Sequence, residues 1–311
     1  MPIKESYSCR LAELRHALDR AEYVVIGAGA GLSAAAGGKP NSPVEIQQRA
    51  EYVVIGAGAG LSAAAGLEYS GRRFTDNFGD FIRSYGFTDL YTSSFYPFKT
   101  EEERWAYWAR HILQNRYDEA GTELYRMLLH AVKQKEWFVI TTNVDGQFEK
   151  AGFDRKRIFA VQGDYAYLQC AKACHNKLYY NEALVREMSR NTENCRIPTS
   201  LVPRCPVCGG TMEVNLRKDD HFVQDAHWYE SHERYQAFMQ KACRRNTLLL
   251  ELGVGYNTPT IIRFPFERIA SQADNITLVR IKRDYAEKQA HVRSFIPFRE
   301  DMNKILTDIL K

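Results

Sequence analysis

Long apolar runs are missing from this sequence. No stretch approaches the roughly eighteen uninterrupted apolar residues of a membrane-spanning helix, so no membrane association is expected. The opening residues, Met1-Pro2-Ile3-Lys4-Glu5-Ser6, lack a basic segment followed by an apolar core, and no secretory signal is read there. An excess of one charge is missing too. The chain has 42 Lys and Arg against 38 Asp and Glu, a formal net charge of +4. That balance is too even to argue for nucleic acid or an anionic membrane as a partner. Cysteine is sparse and odd in number, seven in 311 residues. Such a count fits a reducing cytoplasm better than a disulfide framework. With 45% hydrophobic and 26% charged residues, the chain reads as an ordinary globular protein, one large domain or a domain plus a module.

An exact internal duplication is present. Residues 20–37 and 49–66 are the same eighteen residues, Arg-Ala-Glu-Tyr-Val-Val-Ile-Gly-Ala-Gly-Ala-Gly-Leu-Ser-Ala-Ala-Ala-Gly. Two copies cannot build a solenoid, which needs several stacked units. Only one copy fits a single first-strand slot, so the displaced copy is expected at a sheet edge, on the surface or mobile. The second copy keeps the downstream run Leu67 to Phe74 and is therefore expected to be the one that binds the ligand. The spacer Gly38-Lys39-Pro40-Asn41-Ser42-Pro43 is turn-like.

Strand-like and helix-like segments alternate. Leu11, Leu14 and Leu18 mark a helix, and residues 101–133 are strongly helical. Residues 52–55, 137–140, 158–161, 247–252 and 276–279 read as buried strands. The alternation predicts an α/β fold: a Rossmann-like, doubly wound, mainly parallel sheet. A polar stretch with cysteines and little periodicity, 165–220, reads as a small zinc-ribbon module. The expected division is an N-terminal helix with the duplicated strand (1–48), a Rossmann-like domain (49–164 and 245–311), and a zinc-binding and helical module (165–244).

Three segments carry chemistry. Gly56, Gly58 and Gly60 follow a strand and precede a helix, where backbone N–H groups and the helix N-terminus can meet a pyrophosphate. The spacing is not that of a plain dehydrogenase. Cys170 and Cys174 form one close pair, Cys205 and Cys208 another with a knuckle-like Gly209-Gly210. Together they offer four sulfurs to a tetrahedral zinc with no open position, hence a structural metal. Free buried thiols are the plainer alternative, and Cys195 or His175 could substitute as ligands, while Cys9 and Cys243 read as ordinary thiols. Thr141-Thr142-Asn143-Val144-Asp145-Gly146 ends a buried strand, where ligands bind in open α/β sheets, although an Asx turn would use the same residues.

In order and spacing these segments resemble the sirtuins over nearly the whole chain. Gly58-Ala59-Gly60-Leu61-Ser62 is similar to the family's Gly-Ala-Gly-Ile-Ser, and Thr141-Thr142-Asn143-Val144-Asp145 to its Thr-Gln-Asn-Ile-Asp. The cysteine pairs fall at its zinc ribbon, and Gly253-Val254-Gly255-Tyr256-Asn257-Thr258-Pro259 resembles its late phosphate- and ribose-contacting turn. The resemblance implies NAD as substrate. Its contacts would be Gly58, Ala59, Gly60 and Ser62; Arg72, Arg73 and Phe74 of the covering loop; Thr142, Asn143 and Asp145; and Gly253, Val254, Gly255 and Lys282.

The departures matter as much. Gln162-Gly163 stands where family deacylases carry His-Gly, Asn215-Leu216-Arg217 where they line an acyl-lysine tunnel, and Lys282 where they carry an adenosine-ribose Asn. This set resembles the macrodomain-linked class M branch, which implies a protein ADP-ribosyltransferase. Its acceptor would be a lipoylated H-like carrier protein, and a macrodomain hydrolase a possible operon partner. The implied catalytic set is Asn143 orienting the nicotinamide ribose, Asp145 holding the carboxamide, and Gln162 positioning the ribose or acceptor. Arg217 is a candidate for an acidic acceptor or a lipoyl carboxamide, or else a solvated surface arginine. Glutamine has no titratable proton site near neutral pH, so it cannot act as the deacylase base. Two other functions stay open: protein-lysine deacylation with Gln162 tolerated, and a non-catalytic NAD or ADP-ribose binding module.

Overall fold

The computed structural model describes residues 6–20, 23–27, 52–57, 59–256, 259–282 and 292–311. In chain order the strands are β1 (Tyr23–Gly27), β2 (Tyr52–Ala57), β3 (Glu136–Thr141), β4 (Ile158–Ala160), β5 (Gly163–Cys170), β6 (Tyr179–Tyr180), β7 (Met212–Leu216), β8 (Thr247–Leu252), β9 (Ile276–Ile281) and β10 (Ser294–Phe298). The helices are α1 (Tyr7–Arg20), α2 (Ala59–Ala64), α3 (Arg72–Thr75), α4 (Gly79–Tyr85), α5 (Leu90–Ser93), α6 (Glu101–Ile112), α7 (Glu123–Val132), α8 (Gln147–Lys150), α9 (Glu182–Arg190), α10 (Ala226–Ala242), α11 (Arg263–Gln272) and α12 (Met302–Ile309).

Seven strands form one parallel sheet in the order β10-β9-β8-β1-β2-β3-β4. β8, Thr-Leu-Leu-Leu-Glu-Leu, is buried at every residue, as a strand covered on both faces must be. Neighbouring residues of a strand point to opposite faces. Phe138 of β3 meets the rings of Tyr235 and Phe238 on α10, and Trp137 next to it meets Phe153. The sheet is therefore doubly wound. Its order turns around between β8 and β2, the switch point where open α/β sheets leave a crevice at the C-terminal ends of their strands.

The duplicated copy is not displaced to an edge, contrary to the expectation from sequence. β1 lies in the middle of the sheet, at the switch point, between β8 and β2. Its residues register with the equivalent residues of the second copy, Tyr23 with Tyr52 and Ile26 with Ile55. The physical reason is local. A segment identical to the native first strand satisfies the same ladder, so β8 accepts it in the same register. Gly27 and Gly56 both register with Glu251, because the last two residues of β2 reach past β1 to β8. The spacer and the first copy's glycine turn lie outside the described residues.

A second, three-stranded antiparallel sheet has the order β6-β5-β7. The division of the chain also differs from the one read in the sequence. Phe74, Phe78, Phe81, Trp105 and Tyr107 share one core with Leu168, Val185, Met188, Met212 and Val214. Residues 72–112 thus pack with the small sheet, not with the large one. Their aromatic side chains bury one another: Phe81 alone meets Phe78, Tyr85, Phe87 and Tyr107. α10, expected in the module, packs on β3 and β4. The helical run expected over 101–133 is broken: after α6 a wider π turn, Leu113–Tyr117, leads out of the helix before α7 begins.

Candidate active site and cysteine cluster

β3 delivers the polar residues. After Thr141 the backbone N–H of Asn143 donates to Thr141 Oγ1 at 2.9 Å, so the chain turns as the strand stops. Asp145 Oδ1 accepts the Gln147 N–H at 3.1 Å, an Asx-type turn that opens α8. Gly146 sits at φ +67 against the Arg116 guanidinium, where a Cβ would collide. Arg116 is held by both carboxylate oxygens of Asp164, at 2.7 and 3.1 Å, and by Glu149 at 3.2 Å.

Four side chains converge there. Ser62, in α2 of the second copy, donates to Asp145 Oδ2 at 2.5 Å and lies 2.8 Å from the Tyr125 hydroxyl. Asn143 Nδ2 donates to Ser62 Oγ at 3.2 Å and to Tyr125 at 3.1 Å. All four are buried, between 0% and 7% exposed, so each bond forms in a low-dielectric setting where a missing partner would be costly. Burial pushes the Asp145 carboxyl up from its ordinary value. Ser62, the Gln147 N–H, Lys150 and Arg116 pull it back in part.

Gln162 follows β4. The N–H of Val161 donates to Thr141 O at 3.0 Å, and Gln162 O accepts the Arg217 N–H at 3.0 Å. The two expected residues Asn143 and Gln162 therefore stand past the C-terminal ends of adjacent strands. The Gln162 side chain is half-buried and makes no hydrogen bond among the described residues. Gly163, φ +96, crosses the Asn215 backbone where no side chain would fit. Arg217 is exposed, its guanidinium 5.6 Å from the Phe222 ring.

The other expected contacts scatter. Gly60 is buried in α2, Ala59 opens that helix, and Gly58 lies outside the described residues. Gly253, Val254 and Gly255 are buried beyond β8, with Gly253 at φ +65 donating its N–H to Ile281 O at 2.9 Å. Lys282, also buried, follows β9 on the next strand, and Thr142 is half-buried beside Asn143. Arg72 is exposed. Arg73 is tied down, donating to Asn115 Oδ1 and to Gln114 O, each at 2.9 Å. The Phe74 ring is buried against Phe78 in the second core.

Tyr125 was not legible in the sequence. A tyrosine beside Leu124 and Leu128 on a helix reads as core. Its hydroxyl meets Ser62 and Asn143 only because the fold brings together residues 63 and 18 positions away. A second buried polar chain was equally hidden: His111 has Tyr107 hydroxyl 3.1 Å from Nδ1 and Tyr165 hydroxyl 3.0 Å from Nε2.

The four expected cysteines cluster. All four sulfurs of Cys170, Cys174, Cys205 and Cys208 lie within 4.8 Å of one another, with Cys170–Cys208 at 3.7 Å and Cys174–Cys205 at 3.6 Å. A tetrahedral zinc with bonds of about 2.3 Å sets sulfur–sulfur edges of about 3.8 Å, so these residues fit the metal. The Cys-x-x-x-Cys spacing closes because Ala173 takes φ 47. The second knuckle is set by Gly209 N–H donating to Cys205 O and Cys205 N–H to Gly210 O, both at 2.8 Å. The substitute ligands are not called on: Cys195 lies against Ser84, and His175 Nδ1 flanks Cys174 at 3.1 Å while its Nε2 meets Tyr179.

Comparison with known proteins supports the family and the fold read from the sequence. The Sir2 family profile matches residues 58–246. A protein of Staphylococcus aureus named protein ADP-ribosyltransferase is 37% identical over 300 residues, 96% of this chain and 86% of its own. A Fusarium oxysporum f. sp. cubense protein named probable bifunctional ADP-ribose hydrolase/ADP-ribosyltransferase is 33% identical over 292 residues. That match takes in 90% of this chain but only 43% of the Fusarium protein. Among solved structures, a Sir2 homologue in complex with NAD superposes with a TM-score of 0.54 at 14% identity, covering 96% of this chain and 92% of its own. A Sir2 protein bound to a propionylated peptide gives 0.53 at 16% identity, covering 95% of each chain. The chain belongs to the Sir2 family.

Proposed function

We propose that this protein transfers ADP-ribose from NAD to a protein side chain, with release of nicotinamide. The observation that carries the reading is the pairing of an intact Asn143–Asp145–Ser62 cluster with Gln162, an untitratable residue, at the end of the adjacent strand. NAD supplies the activated ADP-ribosyl group. The chain's residues supply positioning. Asn143 and Asp145 are held rigidly by buried hydrogen bonds, and Gln162 offers an unspent amide to the ribose or the acceptor. Deacylation needs a base at the place of Gln162. Transfer to an already ionised acceptor does not, so fixed orientation supplies most of the rate. The relatives named ADP-ribosyltransferase support this reading.

The acceptor is proposed to be a lipoylated H-like carrier protein, with the exposed Arg217 near Gln162 as its contact. A macrodomain hydrolase is the proposed companion, supported by the bifunctional name of the Fusarium relative. The cysteine cluster is proposed to hold a structural zinc. The compartment is proposed to be the cytoplasm, a reading supported by the odd cysteine count and by cysteines that form no disulfide among the described residues. Among the described residues no helix is long and apolar enough to cross a membrane. Incubation with labelled NAD, a lipoylated carrier and an acetyl-lysine peptide tests the reading. Label is expected on the carrier. Deacetylated peptide without labelled carrier would replace transfer by deacylation, and bound NAD with neither product would leave a binding module.

A further inference from the structure

We infer that Tyr125 is a positioning residue that locks the Asn143 amide in one orientation, with its nitrogen inward, so that Asn143 presents its carbonyl oxygen to the ligand. A hydrogen-bond count carries this. Ser62 has one hydroxyl hydrogen, and it goes to the Asp145 carboxylate at 2.5 Å. The 2.8 Å contact between Ser62 and Tyr125 must then use the phenol hydrogen, with Tyr125 donating. Having spent its hydrogen, the Tyr125 oxygen can only accept, and it accepts from Asn143 Nδ2 at 3.1 Å. Nδ2 also lies 3.2 Å from Ser62 Oγ, and because the two acceptors stand only 2.8 Å apart one Nδ2 hydrogen can serve both. Turning the amide around would set Oδ1 against two oxygens that have no hydrogen left to give. At neutral pH the chain of bonds therefore runs one way, from Asn143 through Tyr125 and Ser62 to Asp145.

Two further facts hold the lock in place. Tyr125 is fully buried, which pushes its hydroxyl well above the ordinary phenol value and keeps it a donor. Its ring stands edge-on to Phe148 at 4.8 Å, which fixes the hydroxyl's position. The amide nitrogen is turned inward to these two oxygens, and Asn143 Oδ1 has no partner among the described residues. What Asn143 offers through Oδ1 is thus an acceptor, suited to a hydroxyl donor such as a ribose hydroxyl. This rests on the proposed NAD site, and it narrows which part of the ligand Asn143 meets.

The test uses Tyr125→Phe, which keeps the ring and removes the hydroxyl, and Ser62→Ala, which removes the acceptor of the phenol hydrogen. The probes are NAD and its analogues lacking the 2′- or the 3′-hydroxyl of the nicotinamide ribose. Wild-type protein should prefer NAD to one of the two analogues by about tenfold in binding, the scale of one lost hydrogen bond. Both variants should reduce that preference to under about twofold while still binding NAD. In turnover, kcat should fall more than KM changes. A purely structural role would lower thermal stability and leave the preference intact, and that outcome overturns the inference. Binding needs no transfer, so loss of the preference in a protein that fails to transfer ADP-ribose would sink the functional proposal alone. A ligand-free measurement covers the remaining case. The Asn143 side-chain NH2 protons should exchange slowly in the wild type and quickly in Tyr125→Phe; fast exchange in both overturns the lock whatever the enzyme does.

Discussion

Deleting residues 21–49 should leave a folded, NAD-binding protein. The excision joins Arg20 to Ala50 and keeps one copy with both of its natural flanks. The register shows why the sheet can close. β2 already meets β8 at Gly56–Glu251 and Ala57–Leu252. Continuing that register backwards sets Tyr52 opposite Thr247, which is where β1 now places Tyr23. No slip is needed, and no side chain changes face. The four paired residues of the β1–β2 ladder are lost, at about 1 kcal/mol per net hydrogen bond, or about 4 kcal/mol in all. Against this, the five residues of β1 no longer have to be ordered, at about 1 kcal/mol each or more. The 24 residues between β1 and β2 no longer have to be closed into a loop, about 3 kcal/mol in favour of the deletion. These contributions oppose one another and are of similar size. A melting temperature unchanged or raised by about 5 °C is expected, with NAD affinity within about threefold of the parent. A paired measurement sharpens the test. In the full chain Ser33→Ala should leave activity unchanged, and its repeat-mate Ser62→Ala should damage it, because Ser62 is the serine bonded to Asp145. Loss of NAD binding on deletion, or greater damage from Ser33→Ala, would refute the reasoning and assign the site to the first copy.

Asn143→Ala should abolish transfer, and Gln162→Ala should lower kcat/KM by about a hundredfold, the scale of one lost positioning group; full activity in either variant removes that residue from the mechanism. Metal analysis should find one zinc per chain, with Cys170→Ser or Cys205→Ser giving metal-free protein of sharply lower thermal stability. His111 should mark the pH dependence of stability. Burial, then the Arg73 charge, pushes its imidazole down to about 3, so the folded state holds it neutral while the unfolded chain takes up a proton below about 6.5. Stability from this group is present above that pH and falls by about 1.4 kcal/mol per unit as pH drops from about 6.5 towards 3; His111→Gln should flatten that slope in denaturant titrations, and an unchanged slope would assign it elsewhere.

The parallel sheet was legible because its strands are short and almost wholly apolar between turn residues, as in Trp137-Phe138-Val139-Ile140 and the fully buried β8. The cysteine pairs were legible because spacing alone brings two thiols of a knuckle together, and the convergence of both pairs follows from the antiparallel pairing of Cys170 with Met212. The small sheet was not. Its strands are irregular, with a register shift between Gly163 and Leu168, and β6 has only two residues. Nor was the company kept by α3 to α6. Helix periodicity shows which face is apolar but not which sheet it covers, and the aromatic residues of 74–107 satisfy one another before they reach either. The Tyr125 and His111 contacts escaped for a related reason: a lone polar atom on an apolar stripe declares its partners only once distant segments meet. The duplication misled the topology because strand preference was weighed against a single vacancy. An identical strand can widen the sheet at the switch point as readily as it can be expelled.

Loss of the histidine at the strand end raises the question of whether another imidazole replaces it. Among the described residues His111 is the one buried histidine, at 1% exposure. It sits near the site, its ring 6.2 Å from that of Tyr69 in the run that follows α2. Its environment disqualifies it. Each ring nitrogen already faces a tyrosine hydroxyl, Tyr107 at Nδ1 and Tyr165 at Nε2, so no lone pair is free for a substrate proton. An imidazole held down to about 3 is also a weak base at neutral pH. Its neutrality has a use of its own, since a charged ring there would add to Arg73 beside a buried, closed network of hydroxyls. The polar groups that remain are one fixed dipole, one unbonded amide and a carboxylate: the Asn143 carbonyl, the Gln162 amide and Asp145. Under the proposed function such groups orient a ribose and steady charge that develops as a leaving group departs, and neither amide removes a proton. The proposed transfer to a nucleophile that arrives already ionised asks no more than this of the two amides.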